Sequence, residues 1–314
     1  MLRAMRAAVL RELGIPSAST FREPVAGEGQ AVVEVTAAGV NPVDVSICSG
    51  RYYAGPPPLP SVAGREGVGT LDGGRVYFDA PVVPFGSMGE RTLIPAGSAY
   101  PVPDAVDDAL AVALGISGLA AWLALTWRAE LREGEHVLVL GASGVVGQIA
   151  VQAAKLLGAG RVVGAARSRE GLERCVELGA DAVVRLGEPE DLAGAFREAC
   201  DGRIDVVVDP LCGEPLTAAV EAASFGARIV QLGQGAAPDA VISSAAVRGK
   251  MLNILGHASF ATPAEVRREA YRRMTEAAAA GDLEVESEVL ALEDVAEAWR
   301  RLQAGSHRKI LLAP

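Results

Sequence analysis

From Glu135 to Leu255 short apolar runs alternate with stretches whose apolar residues recur at helical spacing. This rhythm predicts a parallel sheet flanked by helices, because strands covered on both faces read as near-continuous apolar runs. The runs are His136–Leu140, Arg161–Ala165, Ala182–Val184, Ile204–Val208, Ala227–Leu232 and Met251–Leu255, enough for one doubly wound sheet. Earlier residues pattern differently: Gly and Pro are frequent, strands such as Ala31–Thr36 are short, and Tyr53–Pro60 reads as turns. A mainly β domain is expected there. Past the sheet, Thr262 reads as a helix N-cap, with Pro263 in the first turn, Glu265 three positions on and a stop near Gly281. A strand-like run Leu283–Leu292, a helix Glu293–Ala304 and a last strand Lys309–Leu312 follow. They are too little for a separate core and are expected to pack back onto the first domain. The boundaries so expected are 1–115, 116–257 and 258–314, in an α/β fold.

One stretch needs a separate decision, because Ala109–Trp127 carries no acidic or basic residue and approaches the length of a membrane span. Gly115, Ser117 and Gly118 interrupt it and Asp107 and Asp108 precede it, so a buried helix pair is expected. Composition then narrows the partner. A formal net charge of −10 over 314 residues argues against nucleic acid and anionic membranes, both of which reward clustered Lys and Arg. Four cysteines without metal-ligand or disulfide spacing fit a reducing cytoplasm. Arg3, Arg6 and Arg11 break the apolar character that an export signal between Met1 and Leu13 would need. A small molecule remains the expected partner.

The most specific chemical signal follows the first sheet strand, at Gly141-Ala142-Ser143-Gly144-Val145-Val146-Gly147. Gly144 there allows a pyrophosphate close to the backbone, and Gly147 lets the following helix sit close to its strand. The N–H groups of Ser143, Val145 and Val146 face the phosphates at the positive end of the helix dipole. Ala142 replaces the first glycine of the usual GxGxxG, so the reading rests on the strand–turn–helix context. The second strand selects the cofactor. No Asp or Glu stands between Gly147 and Glu170 to bind ribose hydroxyls; Arg167, Ser168 and Arg169 stand there instead, suited to a 2′-phosphate. NADPH is the expected cofactor, unless both arginines are merely solvated.

These residues resemble the zinc-free quinone oxidoreductase branch, similar to zeta-crystallin, of the medium-chain dehydrogenase/reductase superfamily. The resemblance runs through Ala37-Ala38-Gly39-Val40-Asn41-Pro42-Val43-Asp44, Gly64-Arg65-Glu66-Gly67-Val68-Gly69 and Gly115-Ile116-Ser117-Gly118-Leu119-Ala120-Ala121-Trp122. It continues through the glycine turn to Lys155 and through Leu292-Glu293-Asp294-Val295-Ala296-Glu297-Ala298. It implies a GroES-like, mainly β catalytic domain wrapped by the tail, a Rossmann doubly wound parallel sheet, and a homodimer joined through the Rossmann sheets. The metal ligands of zinc-dependent members are replaced by Asn41 and Arg65, and a guanidinium offers no lone pair to a metal.

The resemblance also assigns roles. Asn41, Ser46 and Tyr52 stand near the nicotinamide and the substrate, with Asn41 and Tyr52 as hydrogen-bond donors and Ser46 where relatives carry a larger Tyr or Trp. Packing against Pro57 or Pro58 is the alternative for Tyr52. Ser117 stands near the nicotinamide end of the cofactor and Lys309 matches a family lysine, with a solvated charge as its alternative. Gly233, Gln234, Gly256 and His257 fall at the carboxyl ends of the fifth and sixth strands, where such sheets bind ligands; a lone histidine such as His257 is more often a hydrogen-bonded structural group than a catalytic acid. The expected activity is zinc-independent hydride transfer from NADPH to a quinone or enone. The alternatives are reduction of an enoyl thioester, with Arg51 and Arg65 as anion contacts, and a low-turnover NADPH-binding module.

Overall fold

The computed structural model describes residues 3–314, so Met1 and Leu2 of the segment weighed as an export signal lie outside it. The chain divides into two units, Met1–Ile116 with Val285–Pro314, and Ser117–Glu284. The first opens with β1 (Ala4–Leu10), β2 (Ser17–Arg22), β3 (Gln30–Gly39), α1 (Pro42–Cys48), β4 (Ser61–Val62) and β5 (Gly67–Leu71). β6 (Gly74–Phe78), β7 (Arg91–Pro95), β8 (Tyr100–Pro101) and α2 (Asp108–Ala113) follow, and α3 (Ile116–Leu123) carries the chain into the second unit. In β3, Val33, Val35 and Ala37 point inward while Glu34 and Thr36 face solvent, the alternation of a half-buried strand. A register shift between Val35 and Ala37 breaks its pairing with β5. Beyond it the strand is buried through Gly39 and delivers Asn41 to the start of α1.

The second unit contains β9 (His136–Leu140), α4 (Val145–Leu156), β10 (Arg161–Ala166), α5 (Arg169–Glu177), β11 (Ala182–Arg185), α6 (Leu192–Ala199) and β12 (Val206–Asp209). It is completed by α7 (Gly213–Ala222), β13 (Arg228–Gln231), α8 (Ser244–Gly249), β14 (Asn253–Gly256) and α9 (Ala264–Ala280). Its strands form one parallel sheet in the order β11-β10-β9-β12-β13-β14. All six expected runs are present. The chain moves outward from β9 in one direction and from β12 in the other, so the crevice of the sheet lies at the carboxyl ends of these two strands. Leu138, Val163, Phe196, Val207 and Ile229 lie in the core of this unit.

The chain then returns to the first unit as β15 (Ser287–Ala291), α10 (Val295–Gln303) and β16 (Lys309–Ala313), and β16 pairs with β3. Trp299, Ile310 and Leu312 join Val33, Phe78 and Ile94 in that unit's core. The return begins at Val285 rather than at 258, because the Gln152 side chain accepts from the Glu284 N–H and donates to its carbonyl, each at 2.9 Å. The start of α9 also differs from expectation. Pro263 is its N-cap and Thr262 is buried with no hydrogen-bond partner for its hydroxyl. The stop is as expected, with Gly281 left-handed at φ 84°. The uncharged stretch forms α2, α3 and a π-helical turn Ala124–Arg128, and among the described residues no helix is long and apolar enough to cross a membrane.

Candidate active site

In the second unit the glycine turn joins β9 to α4. Gly147 is required by the protein itself, since a Cβ there would fall on the Gly141 carbonyl oxygen and within 2.5 Å of Ala142 Cα. Gly144 differs. A Cβ at Gly144 would meet only the Gly141 carbonyl oxygen, at an ordinary 3.5 Å, so the protein leaves that space free. Gly144 is also the N-cap of α4, with no side-chain cap hydrogen bond. A twelve-residue helix with an uncapped N-terminus beside free space fits the pyrophosphate of a dinucleotide.

The end of β10 adds charge to this turn. Arg167 and Arg169 are exposed, and Ser168 is the N-cap of α5, its Oγ accepting from Gly171 N at 3.1 Å. The Ser168 hydroxyl therefore has a structural duty besides the expected one. A Cβ on Gly171 would overlap the Cβ of Ser143, so the start of α5 lies directly against the glycine turn. A third guanidinium escaped the sequence reading: Arg185, at the end of β11, donates through Nε to the Arg167 carbonyl at 3.1 Å. It could be found only once β11 was known to pair with β10.

Ser117 is buried near the start of α3. Gly233 lies beyond β13, where a Cβ would come within 3.0 Å of the Pro210 carbonyl oxygen, and Gln234 is exposed. Gly256 ends β14, the edge strand, and His257 follows it, with β12 and β13 between them and β9. The Gly256 carbonyl accepts from Arg128 Nε at 3.1 Å. Burial first, and Arg128 second, push the His257 imidazole down to about 4. The ring is neutral at ordinary pH, and its one remaining N–H is a hydrogen-bond donor rather than an acid. Another group missed in the sequence is Asp209 at the end of β12. Its Oδ1 accepts from the N–H groups of Leu211 and Cys212, its Oδ2 has no partner, and burial raises its pKa above the usual carboxylate range.

The first unit holds a buried polar cluster. Glu66, fully buried, accepts four hydrogen bonds: from Lys309 Nζ at 2.6 Å and Asn41 Nδ2 at 2.9 Å on Oε1, and from Tyr77 Oη at 2.8 Å and Ile116 N at 2.6 Å on Oε2. Lys309, 2% exposed, also donates to Asn41 Oδ1 at 2.6 Å. One alternative falls here: Lys309 is not a solvated charge, because its ammonium is paired with Glu66 inside the fold. The Asn41 amide hydrogens are directed to Glu66 and, at 3.3 Å, to Asp44 Oδ2. Glu66 stands within the glycine-rich segment Gly64–Gly69, yet its partners lie up to 243 positions away, beyond what spacing reveals.

Beside this cluster a cavity of about 350 Å³ is lined by Asp44, Tyr52, Pro57, Arg65, Val83 and Phe85 among others. Of the three expected catalytic residues only Tyr52 lines it. Ser46 is half-buried and points elsewhere: on α1, Asp44 and Cys48 share the cavity face at i, i+4, and Ser46 lies between them on another face. Tyr52 donates to Tyr53 Oη at 2.9 Å, and burial pushes its phenol up to about 12, so it remains a neutral donor. Asp44 is 1% exposed; its Oδ2 accepts from Asn41 N at 2.8 Å and its Oδ1 has no partner. Burial dominates and, with repulsion from Glu66, pushes this carboxyl up to about 7 against the Asn41 N–H and the attraction of Lys309.

Comparisons with known proteins agree with the fold. The family described as zinc-binding dehydrogenase matches residues 145–279, and that described as alcohol dehydrogenase GroES-like domain matches residues 27–76. The quinone oxidoreductase of Rattus norvegicus is 32% identical over 246 residues, 74% of each chain. The structure of the quinone oxidoreductase of Thermus thermophilus, studied also as its complex with NADPH, is 31% identical with a TM-score of 0.81. The match covers 99% of this chain and 100% of that one. A phenolphthiocerol/phthiocerol polyketide synthase component of Mycobacterium tuberculosis is 32% identical over 88% of this chain, and the match spans 13% of that much longer protein.

Proposed function

The chain belongs to the quinone oxidoreductase family within the medium-chain dehydrogenases and reductases, and on that premise we propose a zinc-independent enzyme that reduces a quinone or an α,β-unsaturated carbonyl with NADPH. The observation that carries this reading is the uncapped N-terminus of α4 beside the space at Gly144, with Arg167 and Arg169 at the adjoining strand end. NADPH supplies the hydride when bound. The N–H groups of Val145 and Val146 hold its pyrophosphate, and Arg167 and Arg169 pair with its 2′-phosphate. Gly233 and Gln234 follow β13 at the same carboxyl-end side of the sheet.

Arg65 and Lys309 occupy the first unit as cations, and neither offers a lone pair to a metal ion. Charge that develops on the acceptor oxygen is therefore met by hydrogen-bond donors, and Tyr52 on the cavity wall serves as one once its hydroxyl turns from Tyr53 to the acceptor. Mostly apolar walls with a few polar groups suit a flat conjugated acceptor. The likeness to the polyketide synthase component supports a second reading, reduction of an enoyl thioester. The outer edge of β14 fits pairing with a second copy: Ile254 and Met251 at that edge and Phe225 nearby are exposed. Four unpaired, buried cysteines accord with a reducing cytoplasm. Steady-state NADPH oxidation with benzoquinones, enones and acyl thioesters side by side tests the reading. Preference for a quinone or enone supports it, and preference for the thioester replaces it with the second.

A further inference from the structure

We propose that Asp44 is the general acid that protonates the reduced acceptor in the cavity lined by Asp44, Tyr52 and Arg65. The inference rests on the oxidoreductase reading above and adds the source of the proton.

The charge arrangement supports it. Glu66 receives four donors, one of them the Lys309 ammonium, so this carboxylate and this ammonium cancel each other inside the fold. Asp44 has donors on one oxygen only, both from Asn41, and no cation of its own. Burial and repulsion from Glu66 outweigh the Asn41 N–H and the attraction of the Lys309 ammonium, which is already engaged by Glu66, so Asp44 holds its proton. Its other oxygen, Oδ1, has no hydrogen-bond partner although the residue is almost wholly buried and lines the cavity. The groups around it complete the picture. Cys48 lies on its own helix and is a thiol, pushed up to about 12 by burial and by Asp44. Glu66, just before β5, and Lys309, at the start of β16, act on it electrostatically, and Tyr52 and Arg65 share the cavity wall. Tyr52 stays neutral, so Asp44 is the group here whose proton is exchangeable near neutrality.

The step balances. NADPH, when bound, would supply the hydride and be oxidised; the resulting hydroquinone monoanion or enolate takes a proton as the Asp44 O–H bond breaks, and Asp44, left as carboxylate, is reprotonated by solvent. Because the acid form is the active one, the rate must fall as pH rises through about 7.

The test is single-turnover NADPH oxidation with benzoquinone and with cyclohexenone from pH 5.5 to 9, for the wild type and for Asp44→Asn, which keeps an acceptor for the Asn41 N–H. The expected result is a wild-type rate that declines above about pH 7, a loss on the order of a hundredfold in the variant at pH 6, and a flat profile in that variant. The NADPH dissociation constant of the variant should match that of the wild type, which also reports that it is folded. A variant that misfolds is replaced by Asn41→Asp, whose added carboxyl should move the wild-type pH limb; an unmoved limb counts against Asp44. A wild type that turns over with no decline near pH 7, or a variant that keeps rate and profile, overturns the assignment and leaves the oxidoreductase reading standing. No NADPH oxidation by wild type with either acceptor overturns both.

Discussion

Arg167 and Arg169 carry their chemistry in their residue type, which is why the sequence alone made them candidates for a 2′-phosphate. Replacing both with Ala should weaken NADPH binding by about 1 to 3 kcal/mol and leave NADH nearly unchanged, as charge-assisted hydrogen bonds to that phosphate are lost. Titration calorimetry with both cofactors checks this, and equal losses would count against it. Lys309 and Asn41 could not be read in the same way. Their roles depend on partners 268 and 25 positions away, and only the fold says that an ammonium two per cent exposed is paired with a fully buried carboxylate. Lys309→Met should lower stability by about 3 to 5 kcal/mol, because it strands the Glu66 charge. Adding Glu66→Gln should recover part of that loss. Denaturant unfolding of the single and double variants measures both, and a double variant no more stable than the single would contradict the pairing.

The doubly wound sheet was legible because its central strands β9, β10 and β12 keep the apolar runs that two-sided burial demands, and the ends of all six moved by no more than two residues. The helix after residue 262 shows the limit. A capping sequence was present, yet Thr262 turned inward and left Pro263 to begin α9, a choice made by packing. The β9–α4 turn separates two uses of glycine that sequence alone treats alike. Gly147→Ala drives a methyl group into the Gly141 carbonyl and should destabilise the whole unit, lowering its unfolding temperature. Gly144→Ala meets no such obstacle in the protein, so it should unfold like the wild type while binding NADPH about tenfold or more weakly, since the methyl occupies the space kept for a phosphate. Thermal unfolding with and without NADPH distinguishes them. Equal destabilisation of both variants would contradict the distinction.

For the whole molecule, the residues that fit the cofactor belong to the second unit, while the cavity and the buried charge cluster belong to the first. Motifs mark the cofactor candidates because turn and charge are local, whereas the buried cluster of Asn41, Glu66 and Lys309 joins residues far apart in the chain. Assembly is legible only in structure, since an edge is defined by the strand it lacks. Ile254→Lys at the exposed edge of β14 should halve the mass seen by sedimentation if that edge pairs two copies, and an unchanged mass would place the contact elsewhere. The most direct measurement of the central claim is cofactor oxidation with benzoquinone by protein exhaustively chelated and assayed for metal, using NADPH and NADH in parallel. The expected result is undiminished turnover with NADPH, well above that with NADH, in protein free of stoichiometric zinc; turnover that vanishes on chelation and returns with zinc, or a preference for NADH, would contradict it.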